Sequence, residues 1–312
     1  MNTALKLCCV LLAVYGLASL LLSIVLASAW RAGLDRTLVT SNDLLGVRLV
    51  PAGGAALVVL AVALPAFLLY EPGNELEGVG PVLVALALFA LLMLGDGVRR
   101  GWRASAAARA LLRNAGCVDH RSAEDGRTIE IVDLAQPIVA VVGGWRPRIV
   151  AARKVVEACG PDEFRQVIAH EAAHLSSRDN VKLLLLATSP DPLAWLATGA
   201  TLAARWRLAA EFEADERATG ADRRKRVALA AALIKVARLA AVTHRPLPSL
   251  TLSVALDDVE GRVRRLLAGS RQTPRPLAFA GLSASALLIP LAAAPFYPLV
   301  HRLIEALVAF GR

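Results

Sequence analysis

Three long apolar segments in the first third of the chain constrain its fold more than any other feature of the sequence. They run from Leu5 to Trp30, from Leu49 to Tyr70 and from Pro81 to Val98. Each is long enough, or nearly so, to span the hydrocarbon core of a bilayer. Because backbone polar groups inside lipid must be paired within the segment, each is predicted to be an α-helix. The mean hydropathy of +0.54 excludes an ordinary soluble enzyme.

A fourth apolar segment, from Leu277 to about Val300, is predicted to span the membrane near the end of the sequence. The first segment also resembles a signal peptide, because Lys6 precedes it and Ala27-Ser28-Ala29 is similar to a cleavage site. Its apolar run is longer than a usual signal core, which favours a retained anchor. Residues 1–98 are therefore predicted to hold three transmembrane helices, and residues 276–312 a fourth helix with a short tail.

Charged residues around these segments predict how the chain crosses the membrane. Arginines occur in the first loop, after the third segment and before the fourth, whereas the second loop carries only acidic charges. The positive-inside rule then places the amino terminus outside and residues 99–275 in the cytosol. The basic run Arg223–Arg226 is expected to meet anionic lipid, so direct binding of nucleic acid is not expected. The residues that carry the asymmetry are Arg31, Arg36, Arg48, Glu71, Glu75, Glu77, Arg99, Arg100, Arg103, Arg262, Arg264, Arg265, Arg271 and Arg275.

Within the predicted cytosolic region, the segment Val167–Leu175 contains the pattern His-Glu-x-x-His with helical spacing. Residues four apart lie on one face of a helix, so His170 and His174 can present two imidazole nitrogens to one ion. Glu171 lies one position along, where its carboxylate can take a proton from water. Two nitrogen ligands and such a carboxylate are typical of zinc hydrolases. The alternative is a helix with two surface or core histidines that bind no metal.

A third zinc ligand is predicted on a second helix, at Glu211. The metzincin pattern, which would supply a third histidine soon after a glycine, is excluded because Ser177 and Asn180 occupy those positions. Glu211 can complete the ligand set, and Asp215, one turn further, can accept the spare ring N–H of a ligand histidine. Glu213 is the rival ligand, but it lies about 160° around the helix from Glu211. The alternative for the whole segment is a solvated acidic face.

Short strands are predicted ahead of the motif, over Ile129–Val132, Pro137–Val142 and Arg148–Val150. The motif helix is predicted to begin near Gly160-Pro161-Asp162-Glu163, with proline in its first turn. An extended peptide can pair with a free strand edge and so lie across a metal. The alternative is that these strands only cover the helix.

Several other features of the predicted cytosolic region leave alternatives open. The apolar stretch 181–204 is interrupted by Ser189-Pro190-Asp191-Pro192, which predicts two helices packed on the catalytic core or resting on the membrane, with a re-entrant segment as a further alternative. Four cysteines form no Cys-x-x-Cys pattern, so zinc is expected to use nitrogen and oxygen ligands. Without a tyrosine in this region, His120, His244 and the basic run from Arg223 are the candidates for stabilising an oxyanion.

The combination of motifs resembles the integral-membrane zinc peptidases of the BlaR/MecR type. The likeness covers roughly residues 100 to 270 and the order of the spans, three before the peptidase and one after. Those receptors carry a penicillin-binding sensor after the last span, whereas only residues 301–312 follow here, so direct antibiotic sensing is not expected. The motifs that carry the resemblance are Trp145-Arg146-Pro147-Arg148-Ile149-Val150, Asp162-Glu163-Phe164, His170–His174 with Ser177-Arg178-Asp179, Asp191-Pro192-Leu193-Ala194-Trp195 and Glu211-Phe212-Glu213-Ala214-Asp215.

These features predict a mainly α multi-span membrane protein with an α+β zincin-like catalytic domain, in which a small sheet accompanies the motif helix. The resemblance implies Zn²⁺ at the positions of His170, His174 and Glu211, with Glu171 as the catalytic base. It also implies a cytosolic catalytic domain at the bacterial cell membrane. Asp215 and Asp179 are the carboxylates expected beside the ligand histidines.

The predicted activity is hydrolysis of peptide bonds by a zinc endopeptidase that acts on a protein or peptide beside the lipid bilayer. The resemblance implies a role in signalling, often by cleavage of a transcriptional repressor. One alternative is a quality-control peptidase of the HtpX type, because those enzymes share the zinc motif and the Glu-x-x-Ala-Asp element. Another is a membrane signalling scaffold without activity, although an intact set of ligands and base argues against it.

Overall fold

The described residues of the protein form two compact units. The first unit holds those within Met1–Arg99, Thr188–Ala203 and Arg275–Arg312, and the second those within Arg100–Ala187 and Ala204–Pro274. The computed structural model describes residues 3–36, 38, 40–70, 80–114, 116–123, 126–143, 147–243, 256–269, 297–299, 302 and 306. The α-helices of these residues are α1 (Thr3–Arg31), α2 (Ser41–Val58), α3 (Leu64–Tyr70), α4 (Pro81–Asn114), α5 (Arg153–Ala158), α6 (Pro161–Ser177), α7 (Asp179–Thr188), α8 (Ala197–Thr219), α9 (Arg223–Thr243) and α10 (Leu256–Ala268).

The first unit contains three helices that are long and apolar enough to cross a membrane, as the sequence predicts. They comprise Ala4–Arg31, Ser41–Leu69 and Pro81–Ala110, and the third continues beyond Arg99, where the first unit ends. In the second of them, a π-helical turn at Val59–Ala63 joins α2 to α3 and keeps the backbone groups paired along the span. Close packing between α1 and α4 needs a small residue, because a Cβ on Gly16 would lie 2.9 Å from the carbonyl oxygen of Leu86.

The fourth predicted span, from Leu277 to about Val300, lies outside the described residues except for 297–299. The apolar stretch 181–204 is divided between α7, which ends at Thr188, and α8, which begins at Ala197. A short 3₁₀ turn at Pro192–Trp195 lies between the two helices, in the segment where the prolines interrupt the pattern.

The second unit contains a four-stranded sheet in the order β1-β2-β4-β3. Its strands are β1 (Gly116–Ser122), β2 (Thr128–Asp133), β3 (Val139–Val142) and β4 (Arg148–Ala152). β2 is parallel to β4, and the other two pairs are antiparallel. Three of these strands are predicted from the sequence, but β1 is not, because its seven residues are all exposed and show no apolar alternation. The order of the strands places β3 at an edge of the sheet.

Alternate residues of the strands build two apolar layers, one on each face of the sheet. On one face, Ile131 and Ile149 pack with Ile168 of α6. On the other face, the core of strand, α9 and α10 side chains includes Val150, Leu229 and Leu266. The sheet therefore supports the motif helix on one side and is itself covered on the other.

Helix α6 begins at Pro161, as the sequence predicts, because its first turn is capped by its own side chains. The Glu163 carboxylate accepts the Gly160 N–H at 2.7 Å and also pairs with Lys235 of α9 at 2.6 Å. Proline at the first helical position needs no N–H partner, and the acidic residues face the positive end of the helix. This start sets the rotation of α6 and thus the direction in which its histidines point.

Candidate metal centre

Helix α6 presents His170, Glu171 and His174 from the buried part of its surface. Their exposed fractions are only 5%, 5% and 2%. The helix ends at Arg178, which has a left-handed backbone (φ 54°) and donates its N–H to the carbonyls of His174 and Leu175. Because only Arg178 separates the two helices, α7 starts at Asp179 and places the carboxylate of that residue beside His174.

Helix α8 brings Glu211 to the two histidines. The Nε2 atoms of His170 and His174 lie 3.1 Å apart, and the Glu211 carboxylate oxygens lie 3.4 Å from the first and 3.6 Å from the second. The three residues offer ligand atoms that all lie within 4.8 Å of one another. They form a possible metal site, and Glu211 is 6% exposed.

The opposite ring nitrogens of both histidines are held by carboxylates. Asp215 Oδ1 lies 2.9 Å from His170 Nδ1, and Asp179 Oδ2 lies 2.8 Å from His174 Nδ1. A carboxylate accepts a hydrogen bond but cannot donate one, so the Asp179 contact places the proton of a neutral His174 on Nδ1, and the close approach of Asp215 favours the same tautomer of His170. The Nε2 lone pairs are then both directed toward the same small region between the rings and Glu211.

The geometry of this cluster fits a zinc ion. Donors about 2.0–2.1 Å from a tetrahedral zinc lie about 3.3–3.4 Å from each other, and the observed separations are 3.1, 3.4 and 3.6 Å. Two nitrogen lone pairs at 3.1 Å repel each other unless a metal ion or a proton lies between them. A ligand set of two imidazoles and one carboxylate is also one that zinc takes in hydrolases.

The charges around the cluster fit a dication as well. Four carboxylates are buried there, those of Glu171, Asp179, Glu211 and Asp215. They face two basic side chains: Arg262, which is fully buried, and Lys182, whose Nζ lies 3.3 Å from Asp179. Counted as ionised, the four carboxylates outnumber these two basic groups of the described residues by two negative charges, and isolated buried charges are costly. A divalent cation at the ligand atoms would balance them. The fold therefore brings six predicted site residues together: His170, Glu171, His174, Asp179, Glu211 and Asp215.

Arg262 is buried beside the candidate site, a position that the sequence pattern does not predict. Its guanidinium contacts Asp215 through Nε at 2.9 Å and Nη2 at 2.6 Å, and Glu211 through Nη1 at 2.7 Å. Nη2 also lies 3.4 Å from His170 Nε2. The sequence pattern counts Arg262 among the membrane-proximal arginines, but it is fully buried in ion pairs and cannot face lipid. No short motif distinguishes it from the exposed Arg264 two residues on.

Glu171 is linked to the edge of the sheet. Its Oε2 accepts the backbone N–H of Val141 at 3.0 Å, and the Asn180 side chain donates to the carbonyls of Val141 and Gly143 at 2.8 and 3.0 Å. Burial raises the pKa of Glu171 above its usual value, although the neighbouring histidines and the Val141 N–H oppose this effect. A buried carboxylate with a raised pKa is a better proton acceptor than a solvated one.

The pKa values of the ligand residues show how strongly the cluster attracts positive charge. Burial opposes ionisation of Glu211, but Arg262 and hydrogen bonds to the two imidazoles outweigh it and hold its pKa well below the usual range. Burial also opposes protonation of His174, yet hydrogen bonds to Asp179 and Glu211 raise its pKa to about 10. Without a metal, a proton would therefore take the place of the cation.

Of the two candidate glutamates of α8, Glu211 lies with the histidines in the possible metal site, whereas Glu213 pairs with Arg217 at 2.9 Å. Of the candidates for oxyanion stabilisation, His120 lies on the exposed strand β1 with its Nε2 3.5 Å from Cys117 Sγ. His244 lies outside the described residues, and Arg223 begins α9.

Comparison with known proteins agrees with this geometry. Residues 108–243 match the family model of peptidase family M48. The matched stretch contains the sheet, the motif helix, α7, α8 and α9. No curated protein and no solved structure shows a significant match to the chain. Together with the three apolar helices, the M48 match supports a membrane-associated metallopeptidase.

Proposed function

We propose that the chain is a membrane-embedded, zinc-dependent endopeptidase. His170, His174 and Glu211 hold the metal, and Glu171 is the catalytic base. The observation that carries the proposal is the convergence of three ligand atoms within 4.8 Å of one another at a buried point, next to a buried glutamate. The M48 match over residues 108–243 supports peptide-bond hydrolysis as the reaction.

The residues around the metal have separate tasks in this mechanism. Zinc bound there would supply Lewis acidity, which makes water more acidic and a peptide carbonyl more electrophilic. Glu171 takes the proton of the attacking water and passes it to the leaving amine. Asp215 and Asp179 keep the two ligand histidines in the tautomer that leaves Nε2 free for the metal.

The edge strand β3 is the proposed guide for the substrate backbone. Among the strands of the described residues, it lies at the end of the sheet and pairs with β4. The hydrogen bond from Val141 to Glu171 joins this edge directly to the catalytic base. A peptide laid along β3 in an extended conformation would pass the catalytic base, but it would have to displace Glu171 and Asn180 to pair with the Val141 backbone.

Removal of the metal is expected to abolish hydrolysis and to lower the stability of the protein. The purified full chain in detergent should contain about one zinc per chain, and a chelator should remove it and lower the melting temperature. His170→Ala should lose the metal because one of three ligands is gone, whereas His120→Ala, on an exposed strand, should keep it. Elemental analysis and thermal unfolding measure these effects. Retention of one zinc per chain in His170→Ala would contradict the assigned ligands.

For the physiological role we propose signalling by cleavage of a regulatory protein, as the resemblance to BlaR/MecR-type peptidases suggests. Quality control of membrane proteins, the HtpX-type alternative, uses the same chemistry on many substrates. A scaffold without activity is disfavoured by the complete ligand set. Proteomics of new peptide ends in cells with and without the active chain separates these roles. One lost cleavage product supports signalling, many support quality control, and none supports the scaffold.

The catalytic residues are proposed to face the cytosol, on the basis of the arginine distribution around the spans. Cys117 provides a natural probe, because it is exposed on β1 of the second unit. A membrane-impermeant thiol reagent should label it in inverted vesicles but not in intact cells. Loss of the label in Cys117→Ser identifies the site, since Cys159 is buried. Labelling of Cys117 from outside intact cells would reverse the proposed orientation.

A further inference from the structure

Two side chains from the motif helix and α7 occupy the outer edge of β3. Ala152 donates its N–H to the Ile138 carbonyl at 2.7 Å, so even-numbered residues here direct their backbone groups toward β4. Val141 therefore directs its N–H and C=O away from β4, where Glu171 accepts the first at 3.0 Å and Asn180 donates to the second at 2.8 Å. Both backbone groups of Val141 are thus paired with side chains.

Asn180 holds the end of this strand at two points. Its side-chain nitrogen also donates to the Gly143 carbonyl at 3.0 Å, and an amide nitrogen carries two hydrogens, one for each carbonyl. Gly143 has a left-handed backbone (φ 99°), which glycine adopts readily, and β3 ends one residue before it. One side chain of α7 therefore fixes the strand end where it meets Glu171.

The position of Asn180 also links the edge strand to the metal ligands. Asp179 Oδ2 lies 2.8 Å from His174 Nδ1, and Asn180 is the next residue of α7. Packing contributes as well, since Val141 lies in the same apolar layer as Ile168. Apolar packing has no direction, however, whereas a hydrogen bond fixes where a backbone group points. The orientation of the strand end therefore depends on the amide of Asn180.

We propose that Asn180 is a positioning residue for the catalytic base. By holding the carbonyls of Val141 and Gly143, it keeps the Val141 N–H directed at Glu171 and so fixes that carboxylate beside the metal ligands. A displacement of about 1 Å near the reacting groups can lower a rate by about 10²-fold. Val139 is the other residue of β3 that faces outward, so a peptide pairing there would leave these bonds intact. The proposal rests on the proposed function, because it takes Glu171 as the base.

Hydrogen exchange tests the positioning without any substrate. In the full chain in detergent, Asn180→Leu keeps the branched shape of the side chain but cannot donate to either carbonyl. We expect the Val141 amide to exchange at least about tenfold faster than in the wild type, because two hydrogen bonds to the strand end are lost. Residue-resolved mass spectrometry measures this rate. Ser176→Ala is the matched control, since it removes a hydrogen bond to the Ala173 carbonyl within α6 and should leave the exchange of the Val141 amide unchanged.

Hydrolysis separates a positioning role from a purely structural one. With labelled casein as the probe, Asn180→Leu should lower kcat by about tenfold or more, while KM and zinc content stay close to those of the wild type. A lower melting temperature with wild-type kcat would overturn the proposal, and so would unchanged exchange of the Val141 amide. Should Asn180→Leu fail to fold, Asn180→Ala lets water reach the two carbonyls and should show both effects; wild-type values there would overturn the proposal too.

Failure of the proposed function gives a different result. A wild-type chain that binds no zinc would overturn the metal site, and full hydrolysis by Glu171→Gln would overturn the assignment of the base. Exchange at Val141 in Asn180→Leu does not depend on either outcome, because it reports only whether Asn180 holds the strand end.

Discussion

Glu171→Gln is expected to lower kcat/KM for peptide hydrolysis by about 10²–10⁴-fold while zinc remains bound. The amide has nearly the shape of the carboxylate but cannot accept a proton from water. The metal should stay because Glu171 is not among the three residues whose ligand atoms converge. Measurement of hydrolysis and of zinc content in the same preparation tests both parts of the expectation.

Glu213→Gln is the matched control for this change. It removes the same kind of charge close to Glu211, but Glu213 pairs with Arg217 rather than with the histidines. We expect its zinc content and kcat/KM to stay close to those of the wild type. Undiminished hydrolysis by Glu171→Gln would exclude this glutamate as the base, and loss of zinc from it would mean that it is also a ligand.

Arg262→Met is expected to lower the free energy of unfolding by about 3–5 kcal/mol, because removal of one partner leaves buried carboxylates without their counter-ion. Arg262 is fully buried and contacts both Asp215 and Glu211. Arg262→Lys should lose less, since the charge remains but the two-pronged contact with Asp215 does not. Chemical denaturation of the full chain in detergent, with zinc present at a fixed concentration, measures these differences.

Arg264→Met is the control on the same helix. Its side chain is 77% exposed and pairs with Glu260, one turn earlier. Surface ion pairs of this kind contribute little, so its unfolding should match that of the wild type within error. Equal stability of Arg262→Met and Arg264→Met would show that the buried guanidinium does not hold the two carboxylates of α8.

The helical features of the fold are predictable from the sequence because their signals are local. Apolar length alone identifies the three helices that can cross a membrane. Pro161 and Glu163 mark the start of α6 through the chemistry of a helix amino terminus. Strand β1 is different, because its exposed residues are held by backbone pairing with β2 and leave no apolar pattern. It is a strand because its backbone pairs with that of β2.

The candidate site also combines features that local spacing predicts with contacts that only the tertiary structure creates. Helical geometry places His170 and His174 on one face of a helix. It also predicts that Glu211 and Glu213 cannot both face the histidines, because they lie on different sides of α8. Arg262 lies far along the chain, and its burial results from the packing of α10 against α9. The contact of Val141 with Glu171 likewise depends on where the sheet edge meets α6.

The sequence by itself therefore determined the elements whose interactions span one or two helical turns: the apolar helices, the start of α6 and the pair of imidazoles on one face. The tertiary structure alone decided which further distant groups meet them, namely the guanidinium from α10 and the backbone N–H from β3, and it placed the predicted Glu211 of α8 beside the imidazoles. The physical reason is the separation along the chain between the residues that interact. Local spacing follows from backbone geometry, whereas a contact between segments far apart in the chain follows from how whole helices and strands pack, and no short pattern records that packing.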